Sequence, residues 1–494
     1  ISLVIVVAMV VWGLGFPKSF EAAGTAANGF LTSNFSWFYA LTMTSFVVFA
    51  IWLGFFSKYR NIRLGKDNEK PEYGFVSWFA MLFSAGMGIG LVFWGTAEPL
   101  NFWMAPIGGL EAGSAGASQF AITKAFLHWG LHPWANYAVL ALALAYFQFR
   151  KDKPGLISSI FIPILGEERV KGPIGKTIDI LAIFATVAGV ATSLGLGAMQ
   201  INSGLNYVFG IPENDMVLII IVVIVTIMFM ASAISGLDKG IKFLSNANVA
   251  LCTIIALLCL FVGPTRQMLN TLIEGIGDYV QELPHNSFAV GAYGDSGWYG
   301  GWTIYYWAWW IAWAPFTGTF IARISKGRTI KEFVMGVTLV PALVSFVWFA
   351  IFGVLGMNTG TEVASEAIQN TSTALFVVLK EYPIGAIISV LVIILLCTFF
   401  VTSADSATFV LGMLSSYGNL NPTVKVKVVW GILQSLLALA LLLGSTNGLQ
   451  MLQTISLVGA FPFAFVMIGS MVCTTKVLKA EKKEKLVVPE VKAD

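Results

Sequence analysis

Long apolar stretches separated by short polar ones run through the whole chain. Twelve of them approach the roughly 20 residues that carry a helix across a bilayer: 1–16, 35–57, 74–103, 117–149, 176–208, 215–236, 240–263, 298–323, 332–356, 384–416, 424–445 and 448–474. Lipid offers a bare backbone no partners, so each is expected to be a helix. Two further stretches, 265–290 and 362–382, mix apolar and acidic positions. The first sets Met268, Leu269, Leu272 and Ile273 among Glu274, Asp278 and Glu282. Both read as amphipathic helices lying along the outer surface. Ile1 opens directly in an apolar run, which reads as a span rather than a cleaved leader and suggests a short preceding segment.

Charge alternates along this pattern. Basic residues gather on every second connection: Lys58 to Lys70, Arg150 to Lys176, Lys239 and Lys242, Arg323 to Lys331, Lys425 and Lys427, and the end from Lys476 to Lys492. Of the 29 basic residues only Lys18, Lys124, Arg266 and Lys380 fall elsewhere. Positive charge marks the cytoplasmic side of a membrane protein, which predicts an even number of spans and both termini cytoplasmic. The end, KVLKAEKKEKLVVPEVKAD, reads as a mobile, solvated tail able to touch anionic lipid heads.

The composition agrees: 57% of residues are hydrophobic and 11% charged, with a mean hydropathy of +0.80, against about 25% charged in soluble domains. The fold class is therefore an all-α polytopic membrane protein. A net charge of +3 gives no footing for nucleic acid. The four cysteines, Cys252, Cys259, Cys397 and Cys473, lie in apolar stretches without metal spacing. No metal cluster of His, Asp and Glu, no GxSxG elbow and no paired carboxylates fall within spans, so neither an enzyme nor a cofactor is expected. A channel would need a continuous polar lining, whereas the polar residues here converge on one level.

Four stretches carry candidate chemistry. Between Trp302 and Trp313 stand Tyr305, Tyr306, Trp307, Trp309 and Trp310. Such electron-rich faces suit a cation that cannot donate hydrogen bonds, such as a quaternary ammonium, and equally suit a lipid or subunit interface. In Ser84-Ala85-Gly86-Met87-Gly88-Ile89-Gly90, Gly86 and Gly90 fit small-residue packing, but Gly88 lies on the opposite face. A local unwinding accounts for all three, and broken spans are the usual home of a transporter site. In Phe399-Phe400-Val401-Thr402-Ser403-Ala404-Asp405-Ser406, oxygen donors inside an apolar helix suit a hard cation, sodium above all, although such hydroxyls also bond their own helix. His128-Trp129-Gly130-Leu131-His132-Pro133-Trp134-Ala135-Asn136-Tyr137 sets Trp134 and Tyr137 on one face, with a bend expected at Pro133. The two histidines have no carboxylate partner in sight, so a structural role is expected of them.

Taken in order, GMGIG, WGLHPWANY, YYWAWWIAWAPF and FFVTSADS resemble the betaine/choline/carnitine transporter family over nearly the whole chain, most nearly its sodium-coupled glycine betaine carriers of Gram-positive bacteria. The resemblance implies twelve transmembrane helices. Two inverted five-helix repeats of the LeuT kind, 74–263 and 298–474, would follow two extra helices in 1–73. A connecting outer helix would lie in 264–297 and a cytoplasmic tail in 475–494. It implies a homotrimer in the bacterial cell membrane, partly held by the outer helix. It implies an osmoprotective symporter working by alternating access, with an aromatic box of Trp129, Trp134, Tyr137 and Trp310 and with Trp313 one turn further inward. The substrate carboxylate would meet the unwound backbone of Gly86, Met87, Gly88, Ile89 and Gly90. One sodium would bind the carbonyls of Ser84, Met87 and Phe399 and the hydroxyls of Thr402 and Ser403. A second would bind Thr186 and the Phe316 ring, where the family's further hydroxyl is Val190 here. Proton-coupled choline carriers of the family have an aspartate at the position of Gly90, so a neutral glycine favours a zwitterion. The sodium-independent carnitine exchanger lacks the glycine run. Choline and carnitine transport are the neighbouring alternatives.

Overall fold

The computed structural model describes residues 1–86, 88–235, 238–419 and 421–487, without the side chains of 83–86, 235, 238–242 and 482–487. Among them there is no strand, only a single antiparallel bridge between Arg63 and Thr329. The main helices are α1 (Ser2–Gly15), α2 (Pro17–Ile51), α3 (Phe75–Gly86), α4 (Ile89–Met104), α5 (Ala115–Trp129), α6 (Leu131–Ala145), α7 (Pro173–Phe209), α8 (Asp215–Ser235), α9 (Asp238–Val262), α10 (Thr265–Phe288), α11 (Tyr305–Ile324), α12 (Ile330–Met357), α13 (Gly385–Ser415), α14 (Val424–Leu443) and α15 (Gly448–Val487).

Among the described residues, eight helices are long and apolar enough to cross a membrane. The other four expected spans are helical but shorter or divided. α1 has only 14 residues. The third expected span is split into α3 and α4, and the fourth into α5 and α6. The eighth begins with the short helix Ser296–Tyr299 and a π-helical turn, Gly300–Ile304, before α11. Its tryptophans and tyrosines also weigh little on a hydropathy scale.

Three boundaries differ from expectation. α2 starts at Pro17, not near residue 35, because proline at the first helical position loses no hydrogen bond. α15 continues into the expected mobile tail as far as Val487. The stretch 362–382 does not lie amphipathically on the surface throughout. Its second helix, Ala374–Lys380, is buried from Ala374 to Leu379. α10 keeps the expected two faces, with Met268, Gly275 and Tyr279 buried and Leu269, Ile273 and Val280 exposed.

Several of the basic connections are in contact with one another. The backbone of 62–64 pairs with 328–330, through Leu64 N to Arg328 O at 2.8 Å and Ile330 N to Ile62 O at 2.9 Å. Arg150 donates to Gly65 O at 2.6 Å, Asp67 Oδ1 at 2.7 Å and Glu481 Oε1 at 2.7 Å. Tyr146 also donates to Glu481. The carboxylate is 6% exposed, so the start of the expected tail is docked, not solvated. Lys326 pairs with Glu69 at 2.8 Å. The basic segments around Arg63, Arg150, Lys326 and Arg328 and the start of the expected tail are thus tied together.

Candidate substrate and ion site

The aromatic residues converge where α5 and α6 meet α11. The division between α5 and α6 falls at Gly130, not at Pro133. A Cβ on Gly130 would stand 2.5 Å from the carbonyl of Phe126, so only glycine fits. Pro133 then lies in the first turn of α6, where a missing N–H is harmless. This break aims Trp129 and Trp134 at α11 from two directions. Trp129 meets Trp310 edge to face at 4.9 Å between centroids, and Tyr137 meets Trp310 at 6.4 Å. Trp134 meets Tyr137 at 5.7 Å, again near perpendicular. Trp310 is pinned at both ends: its indole donates to His128 O at 2.9 Å, and its carbonyl accepts from Asn136 Nδ2 at 2.7 Å. Trp313 is held apart, donating to Gly189 O at 2.8 Å. All these rings are buried, yet Trp134 Nε1 and Tyr137 Oη have no partner among the described residues.

The glycine run lies directly beneath. α3 ends at Gly86, Gly88 caps α4, and Ile89 and Gly90 form its first turn. Met87 and the side chain of Ser84 lie outside the described residues. A Cβ on Gly90 would come 2.5 Å from Trp309 Cη2 and 3.2 Å from Trp129 Cη2. A Cβ on Gly88 would rest 3.6 Å from both Phe399 Cδ1 and Ser403 Oγ. One face of the break thus touches the rings and the other touches α13.

On α13, Thr402 bonds its own helix through Thr398 O and Phe399 O, at 3.1 and 3.2 Å. It also accepts from Asn248 Nδ2 of α9 at 3.2 Å. Asn248 was not singled out in the sequence; Asn246 stands two residues before it, and only the fold shows which of the two is buried. Asp405 is buried and accepts from Ser232 of α8 at 2.8 Å. At the second expected ion position Thr186 and Phe316 are both buried, with Thr186 bonded to Ala182 O at 2.8 Å and Phe316 edge-on to Trp313 at 5.4 Å. Thr192 does not supply the further hydroxyl. It is turned to α15, bonding Leu452 O at 2.7 Å and Ser456 Oγ at 2.8 Å.

The histidines require a correction. His128 Nδ1 lies 2.7 Å from Glu98 Oε1, and its Nε2 lies 3.0 Å from Thr303 Oγ1. Glu98, fully buried on α4, also accepts from Trp129 Nε1 at 2.7 Å and Tyr306 Oη at 2.5 Å. His132 fits the structural role, stacked on Trp307 at 4.5 Å. An acid within an apolar stretch is itself the signal that could have found Glu98.

This is the architecture of a membrane carrier: divided helices meeting at mid-span, with rings on one side and hydroxyls on the other. Residues 1–483 match the family of betaine/carnitine/choline transporters. The glycine betaine transporter OpuD of Bacillus subtilis (strain 168) is 49% identical, over 98% of this chain and 94% of that one. A probable glycine betaine transporter of Desulfitobacterium hafniense (strain Y51) is 44% identical, over 97% of each. An ectoine/hydroxyectoine transporter of Virgibacillus pantothenticus is 43% identical, over 98% and 96%. The chain belongs to the betaine/carnitine/choline transporter family, and it is a transporter, not an enzyme.

Proposed function

We propose that this chain is a sodium-coupled symporter that imports glycine betaine as an osmoprotectant by alternating access. The observation that carries the reading is the position of Gly90 and Gly88: rings of Trp129 and Trp309 stand against the first, Phe399 and Ser403 against the second. Three pairs in the cluster, Trp129 with Trp310, Trp134 with Tyr137 and Tyr137 with Trp310, meet edge to face. A trimethylammonium group makes the same electrostatic contact in place of that edge. Several such contacts, at roughly 0.5 to 2 kcal/mol each, add up to useful affinity. Trp134 Nε1 and Tyr137 Oη remain free to serve the bound molecule. The substrate carboxylate meets the backbone N–H groups of 86–90, which suits a zwitterion better than choline.

Sodium binds between the break and α13, at carbonyls of Ser84, Met87 and Phe399 with Thr402 and Ser403. It orders the segment that the substrate also needs, so each ligand raises the affinity of the other. Thr186 and Phe316 hold a second sodium, with Val190 supplying no side-chain hydroxyl. The spans form two inverted repeats of five, the termini face the cytoplasm of a bacterial cell, and the exposed apolar face of α10 joins three copies. The names of the relatives, two of them glycine betaine carriers, support the substrate.

Uptake of labelled glycine betaine into proteoliposomes, with sodium and proton gradients imposed separately, tests this. A sodium gradient alone drives accumulation. Equal accumulation with potassium in place of sodium ends the coupling reading, and failure to take up betaine under either gradient ends the substrate reading.

A further inference from the structure

An acidic side chain lies behind the ring cluster and touches two of its members. Glu98 lies 0% exposed among Trp129, Tyr306 and His128. The indole Nε1 can only donate, so one Glu98 oxygen accepts from Trp129, and the same oxygen faces the Tyr306 hydroxyl. The other oxygen faces His128 Nδ1. With hydrogen on Nδ1, the imidazole donates to Glu98 while Nε2 accepts from Thr303. An ionised carboxylate accepts all three of these hydrogen bonds, and beside a neutral imidazole its negative charge is uncancelled. Lys124, on the same helix as His128, is turned away: it donates to Asn286 Oδ1 at 2.8 Å and lies over the Phe120 and Tyr299 rings.

Two of the groups that bind this carboxylate belong to the ring cluster. Trp129 meets Trp310 edge to face, and Tyr306 stacks on Trp310 at 5.9 Å. A hydrogen bond to an ion is stronger than one between neutral groups. It draws the indole N–H toward the carboxylate and returns electron density to the ring. In a region of low dielectric both the ring quadrupole and the charge behind it act with little screening. We propose that Glu98, acting through Trp129 and Tyr306, is the positioning residue that makes the ring cluster prefer a cationic head group to a neutral one of the same shape. The proposal rests on the reading of these rings as the ammonium site.

The test uses two ligands that differ in one atom. Glycine betaine carries a trimethylammonium head, and 3,3-dimethylbutanoate carries a tert-butyl head on the same carboxylate stem. Each competes with labelled betaine for the purified carrier in sodium-containing proteoliposomes. The wild-type carrier favours the cationic head, and Glu98→Gln lowers that preference by about tenfold, the size of one cation–π contact. Glu98→Asp, which keeps the charge, restores most of the preference whatever it does to the maximal rate. Equal weakening of both ligands in Glu98→Gln, with the preference intact, overturns the proposal. If that variant does not fold, Trp129→Phe removes the indole N–H and keeps a ring: a reduced preference supports the proposal and an unchanged one overturns it. A wild-type carrier that fails to distinguish the two heads would instead overturn the ammonium reading itself.

Discussion

Gly90 packs so tightly under Trp309 that a Cβ would stand 2.5 Å from the indole Cη2. Both partners are fixed. Gly90 is in the first turn of α4, and Trp309 is stacked on Trp310 at 4.8 Å. No flexible chain end can give way. Gly90→Ala should therefore displace the ring pair and lower betaine uptake by about five- to a hundredfold, chiefly through affinity, since overpacking a filled site costs about 1–3 kcal/mol. Uptake at a series of betaine concentrations reads this directly. An unchanged half-saturation point would mean that the rings are not part of the substrate site.

Trp310 sits at the crossing of four ring contacts and two hydrogen bonds to backbone carbonyls. Trp310→Leu should abolish most uptake while the protein still reaches the membrane. Thr402→Ala combined with Ser403→Ala should instead raise the sodium concentration needed for half-maximal uptake. Sodium titration of betaine transport separates the two effects; an unaltered sodium requirement in the double variant would remove these hydroxyls from the ion site.

Thr192 follows Thr186 by six residues on α7, but its hydroxyl is engaged with Leu452 O and Ser456 on α15. Thr192→Val should thus leave sodium dependence alone and lower stability, by about 1 kcal/mol for an interhelical hydrogen bond of this kind. The thermal midpoint in detergent and the sodium titration together check both halves.

Arg150 gathers three strands of chain at once through Gly65 O, Asp67 and Glu481. Removing one partner of a nearly buried pair leaves the other uncompensated, at a cost of several kcal/mol. Arg150→Ala should release the end of α15. Limited trypsin digestion should then cut after Lys476 or Lys479 severalfold faster than in the wild type, as exposure of the released segment dictates. Cutting at an unchanged rate would mean that the helix is held by something else.

Glu69 is paired with Lys326 at 2.8 Å, and the hydrogen bond from that lysine holds its carboxyl below the usual range. A lowered folded pKa contributes stability above the unfolded value, which is lost as pH falls through the folded one. The thermal midpoints of wild type and Lys326→Ala should differ by a small, constant amount near neutral pH. They should converge below about pH 4, where free carboxylates titrate. A gap that persists into acid would assign the difference to packing.

The sequence placed the rings, the glycine break and the hydroxyl helix because each is a local pattern. Three glycines within five residues or five tryptophans between positions 302 and 313 can be read without knowing the fold. Its misses were of another kind. His128 and Glu98 lie 30 positions apart, on different helices, and nothing local links them. Asn248 and Thr402 are 154 positions apart. The fourth span breaks at Gly130 because Phe126 O and the Phe346 and Tyr279 side chains crowd that point, which no reading of Pro133 could supply. The tail looked free because its lysines are visible in sequence, whereas the pocket that receives Glu481 is assembled from Tyr146 and Arg150.

The turn at Gly300–Ile304 holds five backbone units where an α-helix would hold four. Thr303 within it reaches back to His128, while Tyr306 and Trp310 beyond it meet Glu98 and Trp129. The surplus unit sets the angular phase between these two groups. Deleting any one residue of the turn would swing everything downstream by about 100°. Every ring would keep its neighbours in sequence and lose its neighbours in space, so the length of this short segment is as tightly specified as the identity of the aromatics themselves.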